Sequence, residues 1–278
     1  MRLRIGYEMT YECPQPTPMV LMLNVHPTRA SDLVTPDNIN VSPVSAAPVS
    51  VYRDEFDNWC TRIVAPAGTT RISADALIHD NGQPDPYVPD AVQHPVQELP
   101  HGALRYLLPS RYCDSDNLLQ TAWGLFGNGA TGWHRVQAIC DFVHSQIVFN
   151  YNDARPSRTA SDALTERRGV CRDFAHLAIA LCRAMNIPAR YCAGYISDVG
   201  LPPPYSAGDF AATIEVYLGG AWHLFDPRNN VRRQGRVLVA RGCDAADVAI
   251  ATTFGPNLLT SFKVWTDEVA EDGARLTA

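Results

Sequence analysis

Alternating apolar and polar residues dominate the first eighty positions of the chain. This period of two places every second side chain on one face of a β-strand. It recurs in five segments separated by proline, glycine, aspartate and asparagine: residues 7–11, 19–25, 49–54, 58–64 and 70–78. No helical period of useful length appears between them. The pattern predicts a small antiparallel β-sandwich domain over residues 1–80.

Prolines interrupt the next stretch, residues 81–109. They stand at Pro84, Pro86, Pro89, Pro95, Pro100 and Pro109. Proline has no backbone N–H and a fixed φ, so it is excluded from central strands and from helix interiors. The stretch is therefore predicted to be an extended linker, or a strap across the surface, that precedes a core domain over residues 110–278.

Apolar residues follow a helical period in the first part of this core domain. Helices are predicted over residues 114–126, 133–147 and 160–166. Residues 171–185 are apolar almost all round, which predicts a buried central helix that ends before Pro188.

Strands follow the central helix. They are predicted over residues 189–196, 210–218 and 222–225, with Gly219 and Gly220 in a hairpin turn. Further strands are predicted at residues 237–240, 247–253 and 261–265. The predicted class is α+β, an N-terminal antiparallel β-sandwich followed by helices and an antiparallel sheet.

Composition excludes several classes of partner. Hydrophobic residues make up 46% of the 278 residues and charged residues 19%, as in globular proteins. The net charge of −6 gives no basic surface, so neither nucleic acid nor an anionic membrane is an expected partner. No apolar run is long enough for a signal peptide or a membrane span. The eight scattered cysteines form no CxxC pair and no zinc-ligand spacing, which predicts reduced thiols in a cytoplasmic protein without metal or cofactor.

One cysteine has a setting suited to chemistry. Gly169 lets the chain turn tightly into the central helix, whose first turn holds Cys171. Unpaired N–H groups and the positive end of the helix dipole favour a thiolate there and could hold the oxyanion of an acyl intermediate. A cysteine at the start of a buried helix is also commonly a small core residue.

Three segments of the sequence support a chemical role for Cys171. They read GVCRDFAHL over residues 169–177, LCRAMNIPARY over 181–191 and EVYLGGAWHLFDPR over 215–228. Together they closely resemble the bacterial transglutaminase-like family, and the strand-rich N-terminal region looks like the β domain that often precedes this papain-like core. The resemblance implies a Cys–His–Asp triad in which a thiol attacks an amide carbonyl. Cys171 matches the nucleophile and Asp226 the carboxylate that orients the histidine.

The histidine of that triad is missing from its expected position. In the resembling family a His-Ala-Trp sequence precedes Glu-Val-Tyr; here Ala211 occupies the histidine position and Thr213 the tryptophan position. His176 is a candidate substitute. It lies five residues after Cys171, about 140° round the helix, so its side chain points away unless the first turn is bent. A histidine satisfied within the helix is the other interpretation.

Two functions are therefore predicted side by side. The first is a cysteine amide hydrolase or acyl transferase that acts on peptide or protein substrates with Cys171 as nucleophile and an atypical triad. The second is a pseudoenzyme whose papain-like cleft binds a peptide or protein without turnover. A purely structural β-sandwich protein is a weaker third reading, because it predicts no pocket at the start of the central helix.

Overall fold

Strands come first along the chain, helices follow, and further strands come after the central helix, as the sequence predicts. The computed structural model describes residues 1–203, 205, 207–270 and 273–276. The strands are β1 Arg2–Cys13, β2 Thr17–Leu21, β3 Asn40–Ser42, β4 Ser50–Arg53, β5 Trp59–Ala65, β6 Gly68–His79, β7 Val148–Phe149, β8 Arg168–Gly169, β9 Ala189–Ile196, β10 Phe210–Leu218, β11 Ala221–Phe225, β12 Arg236–Gly242, β13 Ala251–Thr253 and β14 Leu258–Val269. The helices are α1 His101–Leu104, α2 Leu119–Phe126, α3 Trp133–Gln146, α4 Ala160–Glu166 and α5 Cys171–Ala184. The predicted α+β class is confirmed.

Two four-stranded antiparallel sheets form the N-terminal β region. Their strand orders are β14-β1-β6-β3 and β13-β2-β5-β4. On β1, alternate residues from Leu3 to Cys13 are buried, as the period of two predicts. The same holds on β6, where alternate residues from Thr70 to Ile78 are buried.

Both of these sheets are completed by strands from the C-terminal end of the chain. β14 pairs with β1 from Arg2↔Val269 to Glu12↔Leu258, and β13 pairs with β2. The periodicity of the sequence predicts these strands within a core domain of residues 110–278, but they pair with β1 and β2 of the N-terminal β region. Alternation identifies a strand but not its partner, so this long-range pairing leaves no local signature.

A third four-stranded antiparallel sheet, of order β11-β10-β9-β12, packs against α5. All of α5 from Asp173 to Ala184 is buried, which confirms the predicted central helix. The hairpin between β10 and β11 turns at Gly219 and Gly220, whose φ angles of 57° and 86° are those that favour glycine. Within the described residues, none of the helices is long and apolar enough to cross a membrane.

The proline-rich stretch runs across the core sheet. Asp85 accepts a hydrogen bond from the Arg233 N–H at 2.9 Å, and Gln93 donates one to the Met185 carbonyl at 2.9 Å. The stretch also contains α1, a short helix that its prolines did not predict. Buried side chains of the β region and of the core form one contiguous cluster, in which Tyr7 contacts Phe210. Independent folding of residues 1–80 and 110–278 stays a prediction.

A buried ion pair fixes the start of α5. The Asp173 carboxylate has no exposed surface; its Oδ2 accepts hydrogen bonds from the Val170 N–H at 2.8 Å and from Arg158 Nη1 at 3.0 Å. A side chain at Gly169 would collide with this carboxylate, with its Cβ 2.8 Å from the Asp173 Cβ. The glycine is therefore required by a close approach. These contacts hold the backbone on both sides of Cys171.

Gly6→Ala should reveal how tightly β14 is packed onto β1. A Cβ at Gly6 would overlap the Trp265 ring of β14 and lie 2.5 Å from the Ala74 carbonyl oxygen of β6. Overpacking of this kind should lower the free energy of unfolding by about 1–3 kcal/mol, measured by urea denaturation. Gly102→Ala is the matched control, since no atom outside its own helix lies within 4 Å of its added Cβ. Equal stabilities for the two variants would contradict the packing described.

Asp173→Ala should destabilise the chain far more than loss of an exposed charge. It leaves Arg158, whose side chain is 3% exposed, with Glu166 as its remaining carboxylate partner beside the Asp153 carbonyl, and it removes the acceptor for the Val170 N–H. The expected loss is about 3 kcal/mol by urea denaturation, as for other broken buried pairs. The control is Glu55→Ala, which breaks an exposed pair with Arg105 and should cost under about 0.5 kcal/mol. Similar losses would mean that the buried pair does not hold α5.

Candidate active site

Cys171 opens into a cavity of about 210 Å³ at the start of α5. We call it the thiol cavity. It lies between the N-terminus of α5 and the segment that leads into β10. Its polar lining comes from Tyr151, Cys171, Asp198, Tyr205, Asp209, Arg228, Asn229 and Arg233. The pocket that both functional hypotheses require at this helix terminus is present.

Burial dominates the chemistry of the Cys171 thiol. The side chain is half-buried, and burial raises its pKa above the ordinary value of 9.0. Hydrogen bonding with the backbone of Ala212 and Arg172 and the charge of Arg228 oppose this rise, and the Asp209 carboxylate adds to it. The helix N-terminus was expected to favour a thiolate, but desolvation outweighs it. The thiol is therefore protonated at neutral pH.

Asp209 is the acidic neighbour of this thiol. Its carboxylate accepts a hydrogen bond from the Tyr151 hydroxyl at 3.2 Å, and burial raises its pKa above 3.8. Asp209 is not among the residues predicted from the sequence. Its position two residues before Ala211, directly before β10, is the sequence feature that could have identified it. Its contact with Tyr151 is set by tertiary structure.

Ala211 stands between two cavities. On β10 it pairs with Gly194 of β9, and it lines both the thiol cavity and a larger cavity of about 480 Å³ on the same sheet. We call the larger one the sheet cavity. Arg233 also lines both. The histidine position thus faces open space that the alanine methyl group does not fill.

Asp226 is bound by an arginine. Its Oδ2 lies 2.6 Å from Arg236 Nη2 and accepts a hydrogen bond from Asn229 Nδ2 at 2.7 Å. Its side chain is 3% exposed and does not line the thiol cavity. Arg236 also contacts Asp85 at 2.8 Å, so it lies between two carboxylates. The predicted orienting carboxylate therefore has a guanidinium for a partner.

His176 lies in the protein core. Its ring is fully buried and stacks on Tyr112 with centroids 5.1 Å apart, and its Nε2 accepts a hydrogen bond from the Ala245 N–H at 3.1 Å. Burial lowers its pKa to about 3, so the ring is neutral at physiological pH. It does not line the thiol cavity. The Nδ1 of His176 is buried without a hydrogen-bond partner, so the ring is held by Tyr112 and Ala245 from outside α5 and is only partly satisfied.

Of the three predicted site residues, only Cys171 lines the thiol cavity. None of the eight histidines, all within the described part of the chain, lines it either. No group of three or more histidine, cysteine, aspartate or glutamate residues is arranged to hold a metal ion among the residues that the structure describes.

Comparisons with known proteins agree with this architecture. A sequence profile described as the Transglutaminase-like superfamily matches residues 120–227, which include Cys171, Ala211 and Asp226. A crystal structure from Cytophaga hutchinsonii, described as a candidate cysteine protease, superposes with a TM-score of 0.82 at 30% identity. That superposition covers 100% of this chain and 94% of the other.

Two curated relatives match a shorter part of the chain. An uncharacterised protein of Mycobacterium leprae is 41% identical over 91 residues, 32% of each chain. An uncharacterised protein of Mycobacterium tuberculosis is 31% identical over 119 residues, 38% of this chain and 37% of the relative. The matches thus span about a third of these relatives. Together with the full-length structural match, the profile shows that the chain belongs to the transglutaminase-like superfamily.

Proposed function

We propose that the chain is a transglutaminase-like pseudoenzyme that binds a peptide-like ligand at the thiol cavity without turning it over. One observation carries the proposal. No imidazole lines the thiol cavity, and the Asp226 carboxylate, which would orient an imidazole, is paired with Arg236. A guanidinium stays protonated at all physiological pH values, so Arg236 cannot act as the general base.

Asp209 is a poor substitute for that base. The ordinary pKa values of an aspartate and a cysteine are 3.8 and 9.0. Proton transfer from the thiol to the carboxylate is therefore uphill by about 7 kcal/mol, at 1.36 kcal/mol per unit. Burial raises the pKa of Asp209, which narrows the difference between the two pKa values. Burial also raises the pKa of Cys171, which widens it. Loss of a triad member already lowers rates by several powers of ten.

The lining of the thiol cavity supports a peptide or protein segment as the ligand. Tyr151, Arg228 and Asn229 offer hydroxyl, guanidinium and amide groups that can pair with the carbonyl and N–H groups of a peptide.

The eight cysteines are all free thiols, which supports the cytoplasmic location that we propose.

The second candidate function is the cysteine amide hydrolase or acyl transferase. The observation that favours it is the retained thiol, which is partly exposed at a helix N-terminus, where the backbone of Ala212 and Arg172 acts to lower its pKa. Such backbone donors stabilise the oxyanion of an acyl intermediate. For this function, either the ligand or Asp209 has to accept the proton of the Cys171 thiol.

Ala211→His separates the two candidates. The wild-type chain should hydrolyse peptide p-nitroanilides no faster than Cys171→Ser does. In the variant, an imidazole placed between Cys171 and Asp226 should lower the thiol pKa by about one unit or more, read from thiolate absorbance at 240 nm during a pH titration. Ala221→His is the matched control, because residue 221 is exposed on β11 and lines neither the thiol cavity nor the larger cavity beside it. Wild-type turnover that Cys171→Ser abolishes would establish the enzyme instead.

The alkylation rate of Cys171 should depend steeply on pH. A thiol with a pKa above 9.0 is less than about 1% thiolate at pH 7, so its rate with iodoacetamide should rise throughout pH 7–9 without a plateau. Peptide mapping should separate Cys171 from Cys243, the other half-buried cysteine. A plateau below pH 8 would indicate an activated thiolate and contradict the pseudoenzyme proposal.

A further inference from the structure

The sheet cavity has the size of a small-molecule site. Its volume of about 480 Å³ falls within the usual range of roughly 300–1,000 Å³ for ligand pockets. Ala211 and Thr213 of β10 face it, together with Gly194 of β9 and Leu238 of β12. These side chains are small or apolar and leave open space along the sheet. The proline-rich stretch and residues around Arg29 close the opposite side.

The positive charge of Arg241, which lines this cavity, is poorly compensated by acidic side chains. Its side chain is 16% exposed, and its buried Nε has no hydrogen-bond partner. Among the described residues, the carboxylate within reach is Glu215, at 4.0 Å. Glu215 is already bound by Arg190, whose Nε and Nη2 both lie 2.6 Å from the same oxygen. Two arginines thus share one carboxylate, which leaves about one unit of positive charge.

The other arginines of the cavity have closer acidic partners. Arg236 lies between Asp85 and Asp226, and Arg29 binds Asp32 at 2.5 Å. A ligand with one negative charge would therefore balance the site, whereas a phosphate dianion would bring excess charge beside these carboxylates. A planar carboxylate also matches the fork of a guanidinium.

Arg233 offers a second donor, where the sheet cavity meets the thiol cavity. Its side chain is 7% exposed, Asp198 pairs with its Nη2 at 3.0 Å, and its buried Nε has no partner. An unsatisfied buried donor is costly unless a ligand or water pairs with it. Since Asp198 balances the charge of Arg233, a neutral acceptor suits this position.

We propose that the sheet cavity binds a small organic monocarboxylate, whose carboxylate pairs with Arg241 and whose neutral carbonyl or amide oxygen accepts from Arg233. The ligand is either a free acid or the C-terminus of a peptide; both present the same group. This site goes beyond the proposed function, which concerns the thiol cavity, and binding here requires no chemistry at Cys171.

The test uses the full chain and isothermal titration calorimetry with N-benzoylglycine as the probe. Its neutral analogue N-benzoylglycinamide should bind at least tenfold more weakly, since hydrogen bonds to a charged group are stronger than those to a neutral amide. Arg241→Met should weaken binding of the acid at least tenfold, and Arg241→Lys should restore part of it. Arg62→Met, an exposed arginine of β5, is the matched control and should leave binding unchanged.

A second variant distinguishes loss of the binding site from misfolding of the chain. Thr213→Trp keeps Arg241 but fills the cavity, so it should abolish binding of the acid while circular dichroism and the Tm report a folded chain. An octapeptide ending in glycine, with a free or an amidated C-terminus, identifies the source. Carboxylate-dependent binding of the peptide indicates a C-terminus, and binding of the small acid alone indicates a free acid.

Three results would overturn the proposal. They are equal affinities for the acid and its amide, unchanged affinity in both Arg241→Met and Thr213→Trp, and no binding of either probe at 10 mM. None of these results bears on the thiol cavity, which is tested through Ala211→His and alkylation. Failure here and failure of the proposed function are therefore distinguishable.

Discussion

A carboxylate without exposed surface determines where the central helix begins. Asp173 lies in the first turn of α5, where its Oδ2 accepts hydrogen bonds from Arg158 and from the Val170 N–H. An isolated charge in the protein interior costs several kcal/mol, so these partners have to stay in place. Gly169 is forced by the same contact, because any side chain there would meet the carboxylate. Cys171 lies between these constraints, and its position is fixed for reasons of stability that do not depend on catalysis.

The same reasoning applies to the orienting carboxylate. Asp226 is as deeply buried as a triad aspartate needs to be, and it requires a cationic or hydrogen-bonding partner. Arg236 supplies one and is itself held by Asp85 from the proline-rich stretch. The interaction stabilises the sheet but transfers no proton. These contacts hold the aspartate in place without an imidazole, and the space beside Ala211 is part of a cavity lined by arginines.

The sequence predicted the local elements well, because each depends on residues close together in the chain. The apolar face of residues 133–147 predicted α3, and Thr159 caps α4 through the Asp162 N–H. Two adjacent glycines predicted the β10–β11 hairpin. The pairing of β14 with β1 was not predictable in this way, because its partners are separated by some 250 residues and alternation alone carries no information about register. Asp209 was missed for a similar reason, since its importance comes from its contact with Tyr151.

By itself, the sequence determined the class of fold, the position of Cys171 at the start of a buried helix and the absence of histidine at residue 211. These follow from spacing and periodicity, which the chain carries locally. Tertiary structure decided the chemistry of the site. Burial raises the pKa of the Cys171 thiol against the helix dipole, packing places His176 between aromatic rings, and distant arginines reach Asp226 and Glu215. Desolvation and charge pairing depend on which atoms meet in space, and spacing along the chain does not specify them.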